Sequence, residues 1–185
     1  LPSRYGMNPD DLRKADAIEI VIGQGAKPGG GGMLLGQKIS DRVAAMRCLP
    51  KGIDQRSACR HPDWTGPDDL EIKINELREV TSWEKPIFVK IGGARPYYDV
   101  ALAVKAGADV VIAHVGTTVG GTIGVTGATC TLEEAAERTQ RIASAAMAVR
   151  DDVICLAHGG PILTPEDAAY INQHTDVVGF VGASS

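Results

Sequence analysis

A short apolar run that ends in glycine recurs along this chain, with a helix-like stretch between successive copies. No other feature constrains the fold as tightly. Ile18-Glu19-Ile20-Val21-Ile22-Gly23-Gln24-Gly25 is the first copy, and Ile87-Phe88-Val89-Lys90-Ile91-Gly92-Gly93 is the second. Val110-Val111-Ile112-Ala113-His114-Val115-Gly116, Val153-Ile154-Cys155-Leu156-Ala157-His158-Gly159-Gly160 and Val177-Val178-Gly179-Phe180-Val181-Gly182 follow. Runs so rich in β-branched residues read as parallel strands covered on both faces.

The intervening stretches carry helix signals. Pro67-Asp68-Asp69-Leu70 opens one, with Leu70, Ile74 and Leu77 at helical spacing and Thr65 or Gly66 as cap. Pro96 to Ala106 is a second, stopped by Gly107. Thr131, with Glu134 as its capping-box partner, starts a third that runs to about Arg150, and Thr164-Pro165-Glu166-Asp167 starts a fourth. Strand–helix alternation of this kind specifies an α/β fold with right-handed crossovers. About five βα units in 185 residues fall short of a complete eight-fold barrel, which takes roughly 250. The expectation is a partial (β/α) TIM-type barrel, one segment spanning residues 1–185, with an open parallel sheet as the alternative. The stretches Gly25–Lys38 and Leu49–Gly66 then become loops on the active face, beyond strand C-termini.

Composition narrows the function classes. Apolar residues at 44% and charged residues at 23% describe an ordinary globular chain rather than a disordered one. No apolar run approaches the roughly 20 residues that span a bilayer, and a net charge of −4 argues against a nucleic-acid or membrane-surface partner. The start, Leu1-Pro2-Ser3-Arg4-Tyr5, lacks methionine and reads as a cut inside a longer protein. The four cysteines, Cys48, Cys59, Cys130 and Cys155, are scattered, with no C-x-x-C and no finger-like spacing. They identify no metal or iron–sulfur ligands and suit reduced thiols in a cytoplasmic protein.

Several positions carry chemistry. Lys27 and the glycines of Gln24-Gly25-Ala26-Lys27-Pro28-Gly29-Gly30-Gly31-Gly32 suit an anion, or equally a ligand-free loop. Lys90, near a strand C-terminus, can stabilise developing negative charge or bind a carboxylate; it also reads as a lysine reaching solvent at the rim. Arg95 suits a bidentate carboxylate clamp or a loop cap. His114 and His158 end two strands that follow one another, which puts them on one rim as candidate acid–base residues; each alone also suits a loop carbonyl. His61 is a weaker candidate, and no carboxylate stands at a spacing that would make the histidines a metal site. Gly159-Gly160 and Gly182-Ala183-Ser184-Ser185 match the phosphate site that barrels build after their last two strands, or simple tight turns.

Two resemblances follow from these motifs. Gln24-Gly25-Ala26-Lys27-Pro28-Gly29, Gly52-Ile53-Asp54, Pro86-Ile87-Phe88-Val89-Lys90 and Lys105-Ala106-Gly107-Ala108-Asp109-Val110 resemble the FMN-binding domain of the glutamate synthase and N-methylglutamate synthase family, over about residues 4–112. That resemblance implies a barrel that binds FMN and reductively aminates a 2-oxo acid. Lys90 and Gln24 would lie beside the flavin, with Lys27 and Arg95 on the substrate. From about Ala113, His114-Val115-Gly116-Thr117-Thr118, His158-Gly159-Gly160-Pro161-Ile162 and Gly179-Phe180-Val181-Gly182-Ala183-Ser184-Ser185 resemble instead the phosphoenolpyruvate-hydrolase-like TIM-barrel family. The pair of resemblances implies a chimera of two barrels, its seam near residues 109–114, whose tail can still receive an FMN phosphate on Gly159, Gly160, Gly182, Ala183 and Ser184.

Three functions compete at this point. The first is an FMN-dependent, glutamate-synthase-like oxidoreductase, and the second an enzyme or binder for a phosphorylated ligand that uses His114 and His158. The third is a barrel scaffold without catalysis. Unpaired strand edges favour a homo-oligomer, or a complementing barrel fragment, under each of them.

Overall fold

The alternation read from the sequence is built as α/β structure with parallel strands. A computed structural model describes residues 7–22, 33–56, 65–118 and 130–182. The chain divides into two compact units, one ending at Ala94 and the other starting at Arg95.

In the first unit, helix α1 (Pro9–Lys14) is set by Asn8, whose side chain accepts from the Asp10 and Asp11 amides, while Asp11 reaches back to the cap. Acidic residues in its first turn and basic ones in its last oppose the helix dipole favourably. Strand β1 (Ile18–Val21) pairs in parallel with β4 (Ile87–Lys90), with Ile18 opposite Ile87 and Val21 opposite Lys90. Helix α3 (Pro67–Val80) connects toward β4. Ile18, Ile20, Leu70, Ile74 and Ile87 are the buried apolar residues that this arrangement supplies. Between β1 and α3 lie β2 (Met33–Leu34), a 3-10 turn at Gly36–Lys38, helix α2 (Asp41–Arg47) and β3 (Gln55–Arg56).

Strands β2 and β3 pair antiparallel, Met33 opposite Arg56. The two stretches expected to be plain loops therefore each contribute a strand. Two residues are too few to show a period-2 pattern, which is why the sequence reading passes over them. Gly36 sits where a Cβ would fall 2.6 Å from the Gly52 carbonyl carbon. Its amide donates to Asp54 Oδ1 at 2.6 Å, tying the turn to the stretch before β3.

The second unit runs α4 (Pro96–Lys105), β5 (Val110–His114), α5 (Leu132–Met147), β6 (Ile154–His158), α6 (Pro165–His174) and β7 (Gly179–Val181). Gly107, at φ +106°, turns the chain out of α4 as its position after the periodic run predicts. Thr131 with Glu134, and Thr164 with Asp167, form complete capping boxes for α5 and α6. Helix α5 ends at Met147, about a turn short of the Arg150 expectation.

Strands β5, β6 and β7 are parallel: Ile112 faces Leu156, His114 faces His158, and His158 faces Val181. The core lies on one side of this sheet. Val111, Cys155 and Ala157 pack with Val100 and Val104 of α4, Ala135, Ala136, Ala143 and Ala146 of α5, and Ile171 of α6. The alternate residues Ile112 and Ile154 are 37% and 47% exposed. Coverage on both faces, the expectation for runs this apolar, is thus not what the described residues of this unit show. A continuous apolar run says that a strand tolerates burial on both sides, and only packed elements supply it. Parallel strands joined through helices are the architecture of a partial β/α barrel.

Candidate functional site

Three parallel strands end level in the second unit, two of them in histidine. His114 closes β5, His158 closes β6 and Val181 closes β7, all in register. Alternation along β5 buries Val111 and Ala113 toward the helices and leaves Ile112 and His114 on the other side. In β6 the same parity buries Cys155 and Ala157 and leaves His158 half-buried.

The two imidazoles meet edge to face, their centroids 4.7 Å apart and their planes 87° apart. Each ring is held by backbone. His158 Nδ1 lies 2.6 Å from the Val181 carbonyl oxygen. The Gly116 amide donates to His114 Nδ1 at 3.2 Å. Sequence reasoning finds both histidines and brings them to one rim, and the structure places them as neighbours. It misses Gly116 and Val181, which hold them. The glycine two residues past His114 was a readable sign, whereas a carbonyl carries no sequence signature.

The turn after β6 explains its glycines. Gly159 and Gly160 both have left-handed backbone, at φ +82° and +61°. A Cβ on Gly159 would run into the Gly116 carbonyl and stand 3.1 Å from His114 Cε1. One on Gly160 would meet Val115 Cγ2 at 3.1 Å. The Gly160 amide donates to the Gly116 carbonyl at 2.8 Å, and the Val115 amide donates to the His158 carbonyl at 3.1 Å. The two glycines therefore pack the β6 turn against the loop that follows β5. The Gly160 N–H expected for a phosphate is engaged by protein. Gly182, past the end of β7, is exposed, and a Cβ there would find only Phe180 Cε1, at 3.9 Å.

The remaining candidates lie elsewhere. Lys90 ends β4 in the first unit, opposite Val21; its carbonyl accepts from the Ile22 amide and the residue is exposed. Arg95 is the N-cap residue of α4 without a side-chain cap bond. Its guanidinium donates to Asp99 at 3.1 Å and lies 4.7 Å over the Tyr98 ring. Gln24, Lys27, His61, Ala183 and Ser184 fall outside the described residues. Among the described residues no three metal-ligating side chains cluster, and no helix is long and apolar enough to cross a membrane. Cys155, buried in the core behind this rim, is pushed up in pKa by burial and, secondarily, by Asp176. Burial thus favours its neutral thiol over the thiolate that a nucleophile needs.

Comparison with known proteins adds an independent line. The family model described as the conserved region in glutamate synthase matches residues 2–167. The glutamate synthase large subunit-like protein of Rhizobium meliloti is 88% identical over 112 residues, covering 60% of this chain and 25% of that protein. The archaeal glutamate synthase (NADPH) of Methanocaldococcus jannaschii is 42% identical over 110 residues, 59% of this chain and 22% of that protein. The ToMV susceptible protein tm-1(GCR26) of Solanum lycopersicum is 49% identical over 87 residues, 46% of this chain and 11% of that protein. The chain thus spans a quarter or less of the length of these relatives.

Proposed function

The chain belongs to the glutamate synthase family, and from that premise we propose that it forms part of an FMN-dependent, glutamate-synthase-like oxidoreductase that converts a 2-oxo acid to an amino acid. The observation that carries this reading is the family match, which runs through residues 2–167 and so reaches from the first unit well into the second. FMN, when bound, supplies the two-electron redox chemistry of such a reaction. Lys90 is the residue of this chain suited to balance negative charge on the flavin, with Gln24 beside it. Lys27 and Arg95 serve the carboxylate of the substrate. For Arg95 that means giving up or sharing Asp99, a contact made with a side chain that is 70% exposed and so weakly held. Gly182, Ala183 and Ser184 receive the phosphate in this reading. Gly159 and Gly160 shape the neighbouring turn. A cytoplasmic setting and self-association belong to the same proposal.

Absorbance of the purified protein and its titration with FMN test this reading. Bound flavin, with bands near about 370 and 450 nm, is the expected outcome, and substitution Lys90→Ala should perturb its spectrum. A colourless protein that rejects added FMN would overturn it.

A second reading rests on a different observation, the His114–His158 pair beside a glycine turn. Here the second unit serves an enzyme or binder for a phosphorylated ligand. A seam between two barrel families near residues 109–114 belongs with this reading. The run of the family match to residue 167 favours continuity instead. Binding of a phosphate ligand without flavin, lost on substituting either histidine, is its expected signature.

A further inference from the structure

We propose that His158 is the acid–base residue of this rim: its Nε2 takes a proton from the ammonium that supplies the amino group and returns it to the hydroxyl that leaves, with His114 as a positioning residue. The inference rests on the reading of the chain as part of an oxidoreductase that forms an amino acid from a 2-oxo acid, and it names the residue that prepares the nitrogen.

The backbone fixes the state of the ring. A carbonyl oxygen only accepts, so the 2.6 Å contact between His158 Nδ1 and Val181 requires the proton on Nδ1. Neutral His158 then carries its lone pair on Nε2. That nitrogen makes no hydrogen bond to the described residues and is not one of the buried polar atoms left unpaired, so it opens to solvent. An imidazole with one nitrogen oriented by a fixed acceptor and the other open to a proton is the arrangement of a general base. The Val181 carbonyl also favours the imidazolium that forms, since its dipole already faces the Nδ1–H.

The position suits the task. Strand β6 lies between β5 and β7, and His158 is its last residue, level with His114 and Val181. Ligands of parallel α/β sheets bind beyond the C-terminal ends of the strands. Arg95, assigned above to the substrate carboxylate, caps the start of α4, and α4 leads through the Gly107 turn into β5. Ten helical residues and five strand residues are each roughly 15 Å long. Arg95 therefore stands at the end of this unit where β5 finishes. His114 needs no ligand of its own in this scheme. Its ring meets that of His158 edge to face, 4.7 Å between centroids, and its Nδ1 accepts from the Gly116 amide. Gly159, where a Cβ would stand 3.1 Å from His114 Cε1, leaves the ring its place.

The proton balance closes. Near neutrality ammonia is held as ammonium, whose nitrogen has no lone pair to offer the 2-oxo carbon. One N–H bond of ammonium breaks, its electron pair stays on nitrogen, and Nε2 gains the proton to give an imidazolium. The ammonia adds to the 2-oxo carbon as a carbinolamine. The imidazolium then protonates the hydroxyl of that adduct, which departs as water and leaves an iminium ion. Ammonium and the 2-oxo acid enter, iminium and water leave, and His158 is neutral again. No electrons change hands in these steps.

The test uses the full chain labelled with 15N-histidine, at about pH 8, where an ordinary imidazole is neutral. Long-range proton–nitrogen correlation spectra should show His158 with its proton on Nδ1 and none on Nε2. His174, whose Nδ1 contacts the Tyr170 carbonyl at 2.8 Å, is the internal reference for that form. His158→Asn keeps an N–H near the place of Nδ1 and removes the Nε2 lone pair. With reduced FMN, 2-oxoglutarate and ammonium chloride, it should form amino acid about 100- to 10,000-fold more slowly than the wild type, with little change in KM for the 2-oxo acid. Raising the pH supplies neutral ammonia from solution and should narrow that gap. A neutral His158 ring protonated on Nε2 would overturn the inference. So would a His158→Asn rate close to that of the wild type, or a gap that pH leaves unchanged, which marks a structural loss. These results strike the inference alone, whereas a wild-type chain that forms no amino acid takes the oxidoreductase reading down with it.

Discussion

Single positions at the rim carry more than their size suggests. Gly159 has φ +82°, and an added Cβ would collide with the Gly116 carbonyl. Replacement by alanine combines backbone strain with a steric clash, and positive-φ strain alone costs on the order of 1–3 kcal/mol. Gly159→Ala should therefore lower the urea midpoint of unfolding by an amount corresponding to about 2 kcal/mol, and shift the ring signals of His114 at the same time. Cys155 behaves differently. It is 1% exposed, and burial followed by the nearby Asp176 raises its thiol pKa. The unfolded chain's thiol ionises at about pH 8.5, whereas the native one stays neutral. Stability from this group is complete below that pH and is lost as pH rises toward the folded value. Stability measured from pH 7 upward should fall less steeply for Cys155→Ala than for the wild type. In the same range Cys48, which is exposed, should react with a thiol reagent before Cys155 does.

At the scale of elements, capping is where the sequence speaks most plainly. Thr131 with Glu134 and Thr164 with Asp167 are legible as start signals, and both are made in full. The Leu163 and Thr164 amides and the Thr164 hydroxyl hold Asp167 below the ordinary carboxylate pKa, the backbone contacts contributing most. Helices α1 and α2 use the same chemistry, Asn8 and Ser40, yet six and seven residues are too short for a periodic apolar face to draw attention to them. The packed face of α5 holds one exception to its small apolar pattern. Thr139 is fully buried there, and its hydroxyl has no hydrogen-bond partner among the described residues. An isosteric apolar side chain removes that unpaired polar atom without opening a cavity. Thr139→Val should stabilise the protein by up to about 1 kcal/mol, seen as a higher urea midpoint with an unchanged slope.

Across the whole molecule the core is unevenly divided. One continuous cluster, from Val100 to Val177, fills the second unit and draws on α4, β5, α5, β6 and α6. Local opening free energy follows buried apolar packing. Amides of β5 and β6 should accordingly exchange with deuterium more slowly than those of β2 and β3, whose residues are exposed or only half-buried. Comparable protection across all four strands would contradict that picture. The sequence by itself determined the α/β class, the five main strands, the four long helices with the caps of α5 and α6, and the placing of His114 and His158 on a common rim. Those features follow from local chemistry: β-branched runs, hydroxyl and carboxylate caps, proline at helix starts and glycine at stops. Only the tertiary structure decided which face of each strand is covered, that the Gly160 amide is taken by Gly116, and which nitrogen of each histidine is held by backbone. Each of these depends on a partner far away in the chain, such as Val181 for His158, and a carbonyl or an amide looks the same at every residue.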